Sequence, residues 1–181
     1  TGADSPAPKY TSGVYKGAGP GAVRCVFLRK NSKVRGFTLR GGRFNGMSDF
    51  NSDGHSGGIL GINATLSVAE NCVITNCCGW RGGATCGVLA ANCRIVGCSS
   101  ASGSAGRSSS FIGCLFGGGC NNAYVAYPSG IGVYNCTFSG SAAVNEALNA
   151  DSPVCNSIVL GTLVATEARP AILRNCLVAA E

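Results

Sequence analysis

Asn71-Cys72-Val73-Ile74 returns as Asn92-Cys93-Arg94-Ile95, and again as Gly113-Cys114-Leu115-Phe116, Asn135-Cys136-Thr137-Phe138, Asn156-Ser157-Ile158-Val159 and Asn175-Cys176-Leu177-Val178. Along the cysteine column, positions 72, 93, 114, 136, 157 and 176 are separated by 21, 21, 22, 21 and 19 residues. Self-similarity at such a period marks a unit that cannot bury its apolar face alone and stacks on copies of itself to do so. Because a strand sends successive side chains to opposite faces, the repeat sorts into columns. The Cys/Ser column and, two residues later, Ile74, Ile95, Phe116, Phe138, Val159 and Val178 face inward, and the residue between them faces outward. The leading Asn sits where the chain must turn: it tolerates the left-handed conformation, and its amide stacks in a hydrogen-bonded ladder.

Working outward, Gly58-Ile59-Leu60-Gly61, Gly87-Val88-Leu89-Ala90, Ser110-Phe111-Ile112 and Gly130-Ile131-Gly132-Val133 each precede a copy of the repeat and read as further strands. Upstream, Cys25-Val26-Phe27 and Phe37-Thr38-Leu39 read as neighbouring strands of an initial coil. The sequence therefore predicts an all-β, right-handed parallel β-helix with coils of about 21 residues. It forms one domain over 1–181, with an N-terminal extended segment at 1–16, an inserted loop at 43–57 and regular coils over 58–181. Composition agrees: 28 Gly, 12 Cys and only 12% charged residues do not describe a helical bundle. No run of 18 apolar residues is present, and Thr1 to Pro20 is too polar for a leader, so an exported chain would have lost its leader earlier.

The stretch Gly19-Pro20-Gly21-Ala22-Val23-Arg24-Cys25-Val26-Phe27-Leu28, followed by Val34-Arg35-Gly36-Phe37-Thr38-Leu39-Arg40-Gly41-Gly42, resembles the opening coils of bacterial right-handed parallel β-helix repeat proteins of the pectate-lyase-like superfamily. The runs Asn-Cys-Thr-Phe-Ser-Gly at 135–140 and Asn-Ser-Ile-Val-Leu-Gly at 156–161 are similar to that family's coil consensus. The resemblance spans 12–181 and implies the fold and an extracellular or cell-surface setting. It leaves function open, since one fold hosts many activities.

Twelve cysteines without a CxxC pair argue against a zinc site. The column cysteines read as small buried hydrophobes stacked along the core. Adjacent coils also lie within the Cα separation that a disulfide spans, which makes Cys77 with Cys98 and Cys86 with Cys78 candidate cross-links.

Parallel β-helices include polysaccharide lyases and hydrolases, which makes the carboxylates decisive. Of eight acids only Asp49 and Asp53 are close in sequence, whereas glycosidases place two carboxylates on one bond. Both lie with the sole histidine, His55, in the 43–57 insertion, where a solenoid usually carries function. Asp49, Asn51 and Asp53 alternate oxygen ligands like part of a calcium loop that lacks its distal Glu, so calcium is the one cofactor the sequence suggests. With His55, Arg40 and Arg43 they make a candidate glycan or calcium site. No catalytic set is assigned.

Charge divides unevenly: residues 1–43 hold nine Lys/Arg and one Asp, formally +8, against −2 for 44–181. A basic end suits an anionic polysaccharide. Nucleic acid is disfavoured because aromatics are not interleaved with the charges. The outward column contains Val26, Thr38, Val73, Arg94, Leu115, Thr137, Ile158 and Leu177, and its apolar members Val26, Val73, Leu115, Ile158 and Leu177 read as an assembly stripe. The leading expectation is a non-catalytic extracellular structural or adhesive solenoid that self-associates end to end or laterally into a filament, sheath or surface layer. The alternative is a polysaccharide-binding or polysaccharide-cleaving module of a secreted protein.

Overall fold

The computed structural model describes residues 1–45, 55–62, 66–118, 125–126, 132–139, 153–160 and 172–178. It is a parallel β-solenoid with turns of about 21 residues. Sheet I holds five parallel strands: β1 (Val26–Leu28), β4 (Ile59–Gly61), β8 (Thr85–Cys86), β12 (Gly106–Arg107) and β15 (Val125–Ala126). Sheet II is seven strands deep: β2 (Ser32–Arg35), β5 (Ser67–Glu70), β9 (Leu89–Ala91), β13 (Ser110–Ile112), β16 (Val133–Tyr134), β18 (Val154–Cys155) and β20 (Leu173–Arg174). Sheet III, also of seven strands, stacks β3 (Thr38–Arg40), β6 (Val73–Thr75), β10 (Arg94–Val96), β14 (Leu115–Phe116), β17 (Thr137–Ser139), β19 (Ile158–Leu160) and β21 (Leu177–Val178). A fourth sheet pairs β7 (Cys78–Arg81) with β11 (Ser99–Ser102).

Register in sheet III follows the repeat residue by residue. Val73 pairs with Arg94, Arg94 with Leu115, Leu115 with Thr137, Thr137 with Ile158 and Ile158 with Leu177. The column two residues after the cysteine is buried through Ile74, Ile95, Phe116, Phe138 and Val159, and Phe116 stacks on Phe138 with ring centroids 4.4 Å apart. A one-residue slip would turn every one of these side chains to solvent, which is why the alternation fixes the register.

Sheet II passes to sheet III through a single left-handed residue: Asn71, Asn92, Asn135, Asn156 and Asn175 have φ between 49° and 53°. Gly113, at φ +62°, fills the same place in the one later copy that lacks Asn. The second corner, between sheet III and the fourth sheet, repeats the device with Asn76 and Gly97. Part of the asparagine ladder closes directly, Asn175 Nδ2 donating to Asn156 Oδ1 at 3.4 Å.

Two readings change. Val26 is not part of the sheet III column: it lies in β1, pairs with Ile59 in sheet I and packs against the core. The strands at 25–27 and 37–39 share an in-out-in pattern, and periodicity alone does not say that β2 comes between them. The segment at 1–16 is folded rather than extended. It carries a short 3-10 turn at Gly13–Tyr15, and Ala3 bridges Val23. Tyr10 and Tyr15 pack with Phe44 and Trp80 beside Ala18 and Cys78, so this segment covers the fourth sheet and not the outer face of sheet III.

Candidate functional site

The outer face of sheet III is open. Val73 (37%), Leu115 (41%), Ile158 (40%) and Leu177 (63%) stand exposed in one in-register column, with Leu160 in the next. Thr38, Arg94 and Thr137 complete the column. Parallel strands repeat at roughly 4.8 Å, so the side chains form a flat ridged strip. Apolar groups aligned over successive rungs mark a contact surface more often than scattered ones do.

Behind that face the cysteines have a defined structural task. Each corner thiol donates to the carbonyl two residues earlier: Cys72 to Glu70 at 3.3 Å, Cys93 to Ala91 at 3.3 Å, Cys114 to Ile112 at 3.5 Å and Cys136 to Tyr134 at 3.2 Å. Ser157 does the same to Cys155 at 2.8 Å, so the column needs a small donor there rather than sulfur as such. The second corner repeats the geometry with Cys77 and Cys98. Sulfur also receives from the neighbouring rung, since the Cys114 amide donates to Cys136 Sγ at 3.4 Å. Hydrogen bonding to Cys136, with burial, pushes the Cys114 thiol up to about 12. Cys77 also rises to about 12: the Cys25 thiol bonded to it pulls it down, and its own bond to Cys98 and its burial outweigh that pull.

No disulfide joins the eleven described cysteines. Cys77 and Cys98 do occupy neighbouring rungs, held side by side through the register of Cys78 with Ser99. Cys78 and Cys86 are not rung partners: Cys78 faces Ser99 and packs against Phe44, whereas Cys86 pairs with Leu60 and Arg107 in sheet I.

Of the residues grouped around the insertion, Arg40, Arg43 and His55 are described, and they serve different parts of the coils. Asp49, Asn51 and Asp53 lie outside the described residues. Arg40 is exposed on the outer face of sheet III. Arg43 is only 12% exposed: it pairs with Asp4 at 3.1 Å and donates to the carbonyls of Lys16, Gly42 and Asn76, clamping the N-terminal segment to the coils. Glu70 pairs with Lys33 at 3.1 Å and with Arg35 at 3.7 Å. His55 sits instead at the entry to sheet I, its Nδ1 3.6 Å from Cys86 Sγ. Burial, then Arg81, Arg107 and Arg24 in that order, hold its imidazole below the ordinary value. Those three arginines come from different rungs and carry no repeat pattern, so no periodicity pointed to them.

Comparison with family models, curated proteins and solved structures found no match. Among the described residues no helix is long and apolar enough to cross a membrane.

Proposed function

We propose that this protein is a non-catalytic structural or adhesive β-solenoid of the pectate-lyase-like kind, working outside the cell or at its surface, and that copies of it associate with one another. The observation that carries the reading is the uncovered apolar column Val73, Leu115, Ile158 and Leu177 on a face whose inner strands are paired in register on both sides. Among the described strands only β3 and β21 keep an unpaired edge, so what the face itself offers a second copy laterally is side-chain packing. Burying apolar surface there contributes about 25 cal/mol per Å² before the costs of association. Lateral packing of two sheet III faces is the simplest arrangement, because the same ridged strip meets itself. End-to-end stacking of coils would extend the same object lengthwise into a filament or sheath. The repeated corner supports a scaffold role, since it spends its polar groups on holding the rungs together.

Negative-stain microscopy of the purified protein, with and without reductant, tests the reading. Ordered filaments or sheets are the expected result. Dispersed single particles at every concentration would contradict it.

A further inference from the structure

We propose that the first coil is a docking surface for an anionic lipid bilayer, met end-on by Phe27, Phe37 and the cations Arg29, Lys30 and Arg40. The case begins with placement. β1, β2 and β3 are the terminal strands of sheets I, II and III, so this coil forms one end of the solenoid. In two columns it departs from the coils stacked on it. Phe27 pairs with Leu60, and Leu60 with Cys86; both of those are buried, yet Phe27 is 50% exposed. Phe37 stands in register with the buried Cys72, since Thr38 pairs with Val73, yet it is 60% exposed. Where later coils carry covered or small groups, the end coil carries bare phenyl rings. Val23, just ahead of it, is exposed as well. The N-terminal segment is in place, with Ala3 bridging Val23 and Gly2 N donating to Arg40 O at 3.0 Å, and it leaves both rings bare.

Charge completes the surface. Arg29, Lys30, Lys33, Arg35 and Arg40 are all exposed in this one coil. Glu70 partners Lys33 and Arg35, whereas the side chains of Arg29, Lys30 and Arg40 make no hydrogen bond or ion pair among the described residues. One coil takes up roughly 4.8 Å of the solenoid axis, so its backbone lies within a Debye length, about 8 Å at physiological salt, of a plane laid across the end. The distribution of these groups selects the partner. Phe27 is on sheet I, Arg29 and Lys30 follow in the turn after it, Phe37 is at the corner between sheets II and III, and Arg40 is on sheet III. A polysaccharide or nucleic-acid strand running along one side would reach only part of this ring, whereas a flat surface across the end meets every side. Phenyl rings beside cations suit an anionic membrane interface, with the rings at the acyl boundary and the charges among the headgroups. This surface stands independently of self-association through the side of sheet III.

Flotation of the intact protein with lipid vesicles tests the proposal, because it separates vesicle-bound protein from self-associated protein, which would sink. Vesicles of phosphatidylcholine alone are compared with vesicles in which phosphatidylglycerol replaces part of it. Wild type is expected to float with the mixed vesicles, to stay behind with phosphatidylcholine alone, and to be released by high salt. Arg29→Gln/Lys30→Gln is expected to weaken partition on the order of twentyfold, at about fivefold for each cation near an anionic surface. Phe27→Ser/Phe37→Ser is expected to abolish flotation at physiological salt with its thermal transition unchanged, since both rings are already exposed. Wild type that fails to float with the mixed vesicles would overturn the proposal, and its retention on a sulfated polysaccharide or single-stranded DNA in the same buffer would assign the cations to such a polymer instead. Flotation that the Phe double variant keeps in full would overturn it too, because charge alone would then account for binding.

Discussion

The corner between sheets II and III and the corner entering sheet I turn the same chain through the same solenoid, yet they are built in opposite ways. At the first, every rung brings the same parts: a left-handed Asn or Gly, then a thiol or hydroxyl that returns a hydrogen bond to the carbonyl two residues back. At the second, successive rungs bring Arg24, His55, Arg81, Cys86 and Arg107, no two rungs alike. Repetition at a corner answers a need that every coil has, namely to turn sharply with its backbone groups paired, the thiol or hydroxyl adding a second donor to a carbonyl that already accepts an N–H from the neighbouring rung. A cluster of unlike polar groups at a corner answers no such need. Architecture therefore resides in what repeats, and recognition is to be sought in what does not.

Substitutions sharpen this contrast, and the largest effect belongs to the repeated side. Phe116→Ala removes a fully buried ring from between Phe111 and Phe138 and is expected to destabilise by about 3–5 kcal/mol, read by denaturant unfolding. Next comes Cys114→Ala, which removes a second donor from the Ile112 carbonyl, still paired with the Asn92 amide at 2.8 Å, and is expected to cost about 0.5–1.5 kcal/mol. Cys114→Ser should cost clearly less, because Ser157 already performs the task two rungs further along the same column. Equal losses for the two variants would mean that sulfur packing, and not the hydrogen bond, sets the corner.

A third effect is alkaline. The thiols of Cys77, Cys86 and Cys114 titrate higher in the folded chain than in the unfolded one, where an ordinary thiol loses its proton near pH 8.5. Between that pH and about 11–12 the folded state holds more protons, so stability is complete below pH 8.5 and falls as pH rises through the window. The slope is on the order of 1.4 kcal/mol per pH unit per thiol, observable as a falling melting temperature from pH 8 to 10.5. The smallest effect belongs to the unrepeated side: Arg81→Ala should change stability by less than about 1 kcal/mol, since removing one of the three positive charges that act on His55 relieves repulsion as it removes packing.

The same contrast decides how much was legible in the sequence. The inward Cys and Ile/Phe/Val columns, the Asn turns and the register of sheet III all follow from six copies of one short pattern. Strands β7 and β11 did not show themselves, because Cys78-Gly79-Trp80-Arg81 and Ser99-Ser100-Ala101-Ser102 carry no apolar alternation. Pairing to each other, and the cover of Tyr15 and Trp80, hold them in place. Val26 was read into the wrong sheet because β1 and β3 have the same chemistry, and only the pairing partners Ile59 and Val73 separate them. Arg43 groups by sequence with the candidate glycan or calcium site, whereas its packing against Asp4 and three carbonyls is a long-range product of the fold. The arginines that act on His55 were invisible because nothing but the winding of the coils relates positions 24, 55, 81 and 107.

The claim that the sheet III face joins copies of this protein is tested most directly by sedimentation velocity over a range of concentrations. Wild type should be compared with the double variant Leu115→Lys/Ile158→Lys, which places two charges on the exposed column without touching the core. Concentration-dependent association in wild type that the double variant abolishes, with its unfolding transition unchanged, is the result expected. A wild type that sediments as a monomer throughout, or a double variant that associates as wild type does, would contradict the account.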